Sequence, residues 1–389
     1  MLVPILAAIT ILTNFEGGSL GRVEKVTETH WRLGSKGEKD QDGRNRQANW
    51  YSFRADGVTK GQELVFDIVD LPGEYNYKPN RGAITKDTPP VVSFDGKNWR
   101  RLETFEYDAE EPRLRLRVKA EGSSVHVAHV VPYTNEHLAA LRRRIAGSGV
   151  FTEEKIGKTV NGRDLVLWTI GPKKAAKTIW LMFRQHSWEA GSSWTGEGAV
   201  LELVSNAKLR EGVTWKVFPM CDPDGVARGG VRFNVHGFDL NRNWDVKDAV
   251  KMPEITAQRN AVKAWLDGGN KVDLFYSLHN TETGEYLEGP PDGARNHAAL
   301  AERLFGLLKS ETTFHPSREL FYSETSTTAG MKGRMNVIQG LWAEFRVPGF
   351  LMEQRIAFNS KLGRLPMPED RMKFGGELVR AMWKAVAGR

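Results

Sequence analysis

Thr178-Ile179-Trp180-Leu181-Met182-Phe183-Arg184-Gln185-His186-Ser187-Trp188-Glu189 is the stretch that decides the fold. Its first six residues are mostly apolar and predict a buried strand. A Gly/Ser-rich turn is expected next, followed by a helix from Thr195 to Val204. A strand, a turn and a helix in this order are typical of an open α/β sheet, which holds its functional residues at the carboxyl ends of its strands.

Three side chains of this pattern suit a metal ion. His186 and Glu189 follow the first strand, and His279 ends a second apolar run, Val272–Leu278. Two imidazoles and one carboxylate suit a catalytic zinc and leave a fourth position for water. The alternative is that His186 and Glu189 only cap the next helix. We predict one Zn²⁺ per chain, with His186, Glu189 and His279 as its ligands.

The pattern of the chain changes near residue 133. In the first part Leu114, Leu116 and Val118 alternate with basic residues, and turn-rich segments separate several such short runs. This predicts a small antiparallel β-sandwich as domain 1–133. Farther on, apolar strands alternate with helical stretches, which predicts an α/β/α domain, 134–389, with a mixed sheet and helices on both faces. A length of 389 residues also favours two domains.

The predicted strands and helices of the second domain cover 134–147, 165–170, 178–183, 195–204, 215–220, 253–266, 272–278, 294–308, 349–353 and 368–386.

Bulk properties exclude several classes of protein. The net charge is +7, but the basic residues are scattered, and Arg142-Arg143-Arg144 belongs to a helix with an apolar stripe, so we expect no nucleic-acid partner. No apolar run is long enough for a membrane span. The single Cys221 fits a reducing compartment, so we expect a cytoplasmic protein. The apolar start, Met1–Ala8, leaves a remnant of an export signal as the alternative.

Further motifs resemble those of a known family. Pro223-Asp224-Gly225, Asp239-Leu240-Asn241-Arg242-Asn243-Trp244 and Ser277-Leu278-His279 resemble the zinc carboxypeptidases of pancreatic type in order and approximate spacing. The front domain, which ends in Pro132-Tyr133-Thr134, is similar to that of the cytosolic carboxypeptidases, which remove glutamates from protein tails. The resemblance implies a metalloprotease that hydrolyses the C-terminal peptide bond of a peptide or protein with a zinc-activated water. The positive net charge makes acidic, glutamate-rich tails a reasonable substrate.

The resemblance also implies roles for an amide and two arginines. Asn241 and Arg242 would bind the terminal carboxylate of the substrate, because a planar guanidinium can donate two parallel hydrogen bonds. Alternatively, this pair satisfies a sharp turn. Arg232 stands where the family has an arginine that stabilises the oxyanion. An exposed surface arginine is the other interpretation of Arg232.

A carboxylate and a tyrosine complete the expected site. The apolar strand that ends in Glu353 resembles the family strand with the catalytic glutamate, so we predict Glu353 as the general base. Glu344 is the rival, and a surface pair with Arg355 is the alternative role of Glu353. The pancreatic enzymes carry a mobile tyrosine shortly before the catalytic glutamate. The nearest upstream tyrosine here is Tyr322, thirty-one residues before Glu353, and it is the candidate substrate contact. A packed aromatic is an equal alternative for Tyr322.

Two other functions stay open at this point. A zinc amidohydrolase or deacylase, or a cell-wall peptide hydrolase, would use the same metal ligands on the same scaffold. A binding module would use the front sandwich and leave the rear domain inert. The sequence does not fix the oligomeric state, the physiological substrate or the preferred side chain at the cleaved residue.

Overall fold

The structure is a computed structural model that describes residues 8–80, 82, 84–323 and 332–388. Most of the apolar start, Met1–Ala7, therefore lies outside the described residues, and the interpretation of this segment stays a prediction. The chain forms two compact units, Met1–Thr134 with Gly225–Arg232, and Asn135–Asp224 with Phe233–Arg389. The sequence patterns gave no sign that Gly225–Arg232 belongs with the first unit.

The strands of the first unit are β1 (Thr10–Leu12), β2 (Val23–Thr27), β3 (His30–Gly34), β4 (Glu38–Lys39), β5 (Arg46–Gln47), β6 (Ser52–Asp56), β7 (Glu63–Val69), β8 (Gly73–Tyr75), β9 (Lys78–Asn80), β10 (Val91–Ser93), β11 (Arg100–Arg101), β12 (Phe105–Asp108), β13 (Arg113–Lys119) and β14 (Ser124–Ala128).

These strands form a β-sandwich with a small additional sheet. One five-stranded sheet has the order β1-β6-β14-β10-β11, and the other has the order β12-β13-β7-β3-β2. Their inner faces share one core, in which the rings of Phe53 and Phe66 lie 5.0 Å apart. The alternation predicted for Leu114, Leu116 and Val118 is confirmed, since all three are buried.

One pair of strands departs from the antiparallel pairing predicted for the sandwich. β3 and β7 are parallel. Between them the chain passes through β6, which belongs to the opposite sheet. A crossover of this kind returns the chain in its original direction, whereas a tight hairpin would reverse it.

The second unit contains the helices α1 (Asn135–Ile145), α2 (Ala190–Ser205), α3 (Pro223–Ala227, which ends in the first unit), α4 (Pro253–Asp267), α5 (Ala298–Glu311), α6 (Val337–Phe345) and α7 (Pro368–Ala387). Its strands are β15 (Phe151–Lys158), β16 (Asp164–Ile170), β17 (Lys177–Phe183), β18 (Val213–Phe218), β19 (Leu274–Thr281), β20 (Tyr286–Gly289), β21 (Phe321–Tyr322) and β22 (Gly349–Arg355).

A mixed eight-stranded sheet, in the order β15-β16-β18-β17-β19-β22-β20-β21, divides the second unit into layers. The central strands β18, β17, β19 and β22 are parallel neighbours. One face packs against α1, α2, α5 and α7, and the other packs against α4 and α6. This confirms the predicted α/β class with helices on both faces. Because β17, β19 and β22 end at the same edge, the residues that follow them are brought together.

The helix after the first metal-ligand motif begins earlier than predicted. The expected turn at 190–194 is the first turn of α2, which starts at Ala190 directly after Glu189. Tertiary partners stabilise this turn, since the Arg184 guanidinium donates a 3.0 Å hydrogen bond to Ser193 Oγ. The strand β15 and the helix α6 were not predicted from the sequence.

Among the helices of the described residues, none combines the length and the apolar character that a bilayer crossing requires.

Candidate metal centre

His186, Glu189 and His279 converge at the carboxyl edge of the central sheet. Each offers a ligand atom that lies within 4.8 Å of the other two, and all three side chains are almost fully buried. His186 Nδ1 lies 2.6 Å from Glu189 Oε1, and His279 Nδ1 lies 3.0 Å from Glu189 Oε2. The predicted set of three side chains is therefore assembled as one cluster.

The ionisation of Glu189 suits a cation site. Burial alone would raise the pKa of this carboxyl, but the two neighbouring imidazoles outweigh it and hold the pKa below its usual range. Glu189 is therefore a carboxylate at neutral pH. Buried carboxylates of this kind are paired with positive charge or coordinate a metal.

The outward nitrogens of both imidazoles have acceptors behind them. His186 Nε2 lies 3.0 Å from Asp239 Oδ1. His279 Nε2 lies 2.9 Å from Ser277 Oγ and 3.1 Å from Gln185 Oε1. These acceptors would hold the proton of a neutral imidazole on Nε2, which would leave each Nδ1 atom to a cation shared with Glu189.

This arrangement fits a zinc ion. Two imidazole nitrogens and a carboxylate meet at one buried point, and each imidazole is oriented from behind by an oxygen acceptor. Catalytic zinc sites commonly use three such ligands and second partners of this type. Sequence reasoning missed Asp239, Gln185 and Ser277 as partners, although all three lie within the quoted motifs.

A strained residue shapes the loop that carries two of the predicted ligands. Arg184 has a φ of 61° and is buried. Its guanidinium donates two hydrogen bonds to the carbonyl oxygen of Ser187, at 3.0 and 2.7 Å. Left-handed backbone at a residue other than glycine costs about 1–3 kcal/mol and is found where tertiary contacts enforce it. Arg184 therefore fixes the path of the chain between His186 and Glu189.

Asn241 and Arg242 lie next to the metal cluster in different environments. Asn241 is buried, its Nδ2 lies 3.3 Å from His279 Nε2, and its Oδ1 accepts a hydrogen bond from Val337 N. Arg242 is half-buried and donates a 2.8 Å hydrogen bond to the carbonyl oxygen of Asn241. Within the described part of the chain, the Arg242 guanidinium forms no salt bridge. It therefore retains donors that a carboxylate could use.

Glu353 lies in register with a predicted metal ligand. In the parallel pair of β19 and β22 it is opposite His279, so both side chains point to the same face of the sheet. Glu353 is half-buried and not part of the three-residue cluster. The rival Glu344 lies in α6, where it forms salt bridges with Arg259 and Lys247. The structure thus brings Glu353, and not Glu344, to the strand of His279.

Aromatic and charged side chains follow on the neighbouring strand. Tyr286 is opposite Glu353 in the pair of β20 and β22, and burial together with the carboxylates of Glu353 and Glu288 raises the pKa of its phenol. The Arg318 guanidinium lies 4.1 Å from the ring centroid of Tyr286 and 3.6 Å from that of Phe321. These residues beside Glu353 escaped sequence reasoning, because only the strand pairing connects them.

Tyr322 and Arg232 are the two remaining predicted site residues. Tyr322 packs with the core under α5, so its ring is on the opposite face of the sheet from Glu353. This position agrees with a packed aromatic, and its predicted substrate contact gains no support. Arg232 belongs to the first unit, where its backbone N–H and that of Val231 donate to Glu38. Its role at the oxyanion stays a prediction.

Known families match both parts of the chain. Residues 11–130 match the cytosolic carboxypeptidase N-terminal domain, and residues 139–286 match the zinc carboxypeptidase family. Cytosolic carboxypeptidase 6 of Homo sapiens is 29% identical over 294 residues, which are 69% of this chain and 56% of that protein. The chain thus spans little more than half the length of this relative.

Solved structures share the fold along nearly the whole chain. A metallo-carboxypeptidase from Burkholderia cenocepacia has a TM-score of 0.83 at 22% identity and covers 98% of this chain and 99% of its own. A metallo-carboxypeptidase from Pseudomonas aeruginosa has a TM-score of 0.79 at 22% identity, with 97% and 99% covered. The two matching family models confirm the resemblance found in the motifs, and the solved structures confirm the fold. Residues 139–286 thus belong to the zinc carboxypeptidase family, and residues 11–130 form an N-terminal domain of the cytosolic carboxypeptidase type.

Proposed function

We propose that this protein is a zinc-dependent carboxypeptidase that hydrolyses the C-terminal peptide bond of peptides or proteins. The observation that carries the proposal is the buried cluster of His186, Glu189 and His279 beside Asn241 and on the same sheet face as Glu353. Family membership supports the same chemistry. The three side chains of the cluster would hold one zinc ion per chain.

When bound, zinc would supply Lewis acidity and would lower the pKa of water at the reacting centre. In our proposal Glu353 takes one proton from the attacking water. The water oxygen bonds to the scissile carbonyl carbon, the C–N bond breaks, and Glu353 passes its proton to the leaving amine. A half-buried carboxylate on the strand next to His279 suits this role, because it can reach the reacting centre and solvent.

Asn241 and Arg242 would bind the terminal carboxylate of the substrate. The support is that Arg242 forms no salt bridge among the described residues and keeps donors for an anion. A guanidinium can bind a carboxylate through two parallel hydrogen bonds. Arg232 would stabilise the oxyanion, a role that rests on the family resemblance alone.

The net charge of +7 supports acidic, glutamate-rich tails as substrates through long-range attraction. The single cysteine and the cytosolic carboxypeptidases among the relatives support a cytoplasmic location. The acidic substrates and the cytoplasmic location are independent of the proposed hydrolysis. If either of them is wrong, the proposed hydrolysis still stands.

The test is a panel of peptides that differ in the last residue, each as the free acid and as the amide, with and without chelator. We expect chelator-sensitive release of single C-terminal residues from the free acids only. Equal hydrolysis of the amides would favour the amidohydrolase. Intact peptides and no stoichiometric zinc would favour the binding module. Preferential cleavage of peptides that end in glutamate would support acidic tails.

A pair of variants tests the general base. Glu353→Gln should retain zinc and lose at least about 100-fold in rate, since general-base catalysis contributes about 10²–10⁴-fold. Glu344→Gln is the matched control, because it removes a carboxylate from α6 and leaves β22 unchanged. Normal turnover by Glu353→Gln would remove Glu353 from the mechanism.

A further inference from the structure

Glu189 occupies the N-cap position of α2 without capping the helix. Its side chain makes no hydrogen bond to the first backbone N–H groups of that helix. Both carboxylate oxygens instead face the imidazoles of His186 and His279. The side chain at this position normally satisfies one of the unpaired N–H groups at a helix start. Because the Glu189 carboxylate faces the two imidazoles, another residue has to accept a hydrogen bond from the N–H groups at the start of α2.

Asn280, in strand β19, accepts this hydrogen bond. Its Oδ1 accepts a 2.8 Å hydrogen bond from the backbone N–H of Ser192, in the first turn of α2. The same N–H also lies 3.0 Å from the carbonyl oxygen of Glu189, a longer contact. Asn280 is 2% exposed and is 88 residues away from Ser192 in sequence. An amide oxygen that caps a helix from another element is here called a surrogate cap.

The Asn280 amide also reaches the strand of the proposed general base. Its Nδ2 donates a 3.2 Å hydrogen bond to the carbonyl oxygen of Gln354. Gln354 directly follows Glu353, as Asn280 directly follows His279. Thr195 Oγ1, in α2, donates a 3.0 Å hydrogen bond to Gln354 Oε1. One buried amide therefore connects the helix that follows Glu189 with the strands that carry His279 and Glu353.

Close packing against Gly191 restricts the position of the Asn280 side chain. A Cβ atom added to Gly191, in the first turn of α2, would lie 2.8 Å from Asn280 Oδ1 and 3.2 Å from its Nδ2. The absence of a side chain at Gly191 lets the amide lie directly against the helix start. Any larger residue there has to move the Asn280 side chain.

We propose that Asn280 is a positioning residue of the metal centre. It acts as the surrogate cap of α2, which leaves the Glu189 carboxylate to the metal and holds it at a fixed distance from His279. The inference rests on the proposed function, in which Glu189 and His279 bind zinc. Asn280 itself touches neither the metal nor the substrate.

The first experiment measures the zinc dissociation constant by competition with a chelator. Asn280→Ala should raise this constant by about 10-fold, since partners that orient ligands contribute about 10–100-fold to metal affinity. The matched control is Asn206→Ala, which removes an asparagine that follows the last turn of the same helix. The control should stay within about twofold of the wild type. A zinc affinity unchanged in Asn280→Ala, or lowered equally by the control, overturns the proposal.

A second variant keeps the test decisive if Asn280→Ala does not fold. Gly191→Ala retains every hydrogen-bonding side chain but displaces the Asn280 amide. Alanine is a better helix former than glycine, so helix propensity alone would stabilise α2. We expect Gly191→Ala to weaken zinc binding and to speed amide exchange in the first turn of α2. Its control is Gly306→Ala in α5, where the added methyl group meets open space.

The outcomes separate this inference from the proposed function. If the wild type binds no zinc, the proposed function fails. Amide exchange of the metal-free protein still tests the surrogate cap. If the wild type binds zinc and neither Asn280→Ala nor Gly191→Ala changes its affinity, the positioning role fails and the metal centre stands.

Discussion

Replacing Asp239 by asparagine tests whether the metal cluster depends on the group behind His186. Asp239 Oδ1 lies 3.0 Å from His186 Nε2, and its side chain is 12% exposed. Asparagine has nearly the same shape, and its amide oxygen can still accept the His186 N–H. The substitution therefore removes mainly the negative charge.

The magnitude follows from the difference between charged and neutral hydrogen bonds. A bond to a charged group contributes about 1.5–3 kcal/mol, and a neutral one about 0.5–1.5 kcal/mol. The loss of about 1–1.5 kcal/mol corresponds to about a tenfold weaker binding of zinc. Asp239→Ala removes the acceptor as well and should weaken binding by up to about 100-fold.

The assay is a chelator competition that gives the zinc dissociation constant of each purified variant. Asp273→Asn is the control, because Asp273 lies just before β19, at the opposite end of this strand from His279, and should leave zinc binding unchanged. The reasoning is refuted if Asp239→Asn binds zinc as tightly as the wild type, or if the asparagine and alanine variants lose equal affinity.

Three further predictions concern substrate binding, pH and packing. Arg242→Lys should lower kcat/KM for free-acid peptides at least about 10-fold, because an ammonium group lacks the planar fork; an unchanged value would exclude carboxylate binding by Arg242. Burial raises the pKa of Glu285 from 4.5 to about 7, so the folded state binds this proton more tightly than the unfolded state. The wild-type unfolding free energy should thus contain a contribution, at most about 3 kcal/mol, that is present below pH 4.5 and lost as the pH rises through 7. Glu285→Gln should remove this loss in denaturation curves measured at several pH values, and equal pH dependence of both proteins would contradict the assignment. Gly198→Ala should lower the unfolding free energy by about 1–3 kcal/mol, since its Cβ would lie 1.9 Å from the carbonyl oxygen of Met372, whereas Gly306→Ala should not destabilise.

The sequence by itself determined the chemistry of the metal cluster and the class of the fold. Local features carry this information, because apolar runs mark strands and the residues at their ends are fixed by the covalent chain. His186, Glu189 and His279 could therefore be predicted from the ends of two runs, whereas Glu353 was predicted from the resemblance of a third run to a strand of the family. The alternation of strands and helices likewise predicted a sheet with helices on both faces.

The tertiary structure decided everything that depends on strand register and on contacts distant in sequence. It placed Asp239 behind His186 and Tyr286 opposite Glu353. It placed Tyr322 on the face of the sheet opposite to Glu353, because successive side chains along a strand point to opposite faces. It also gave Asn280 the role of capping a helix that begins 90 residues earlier. No local pattern encodes such partners, because they are selected by the packing of the whole sheet.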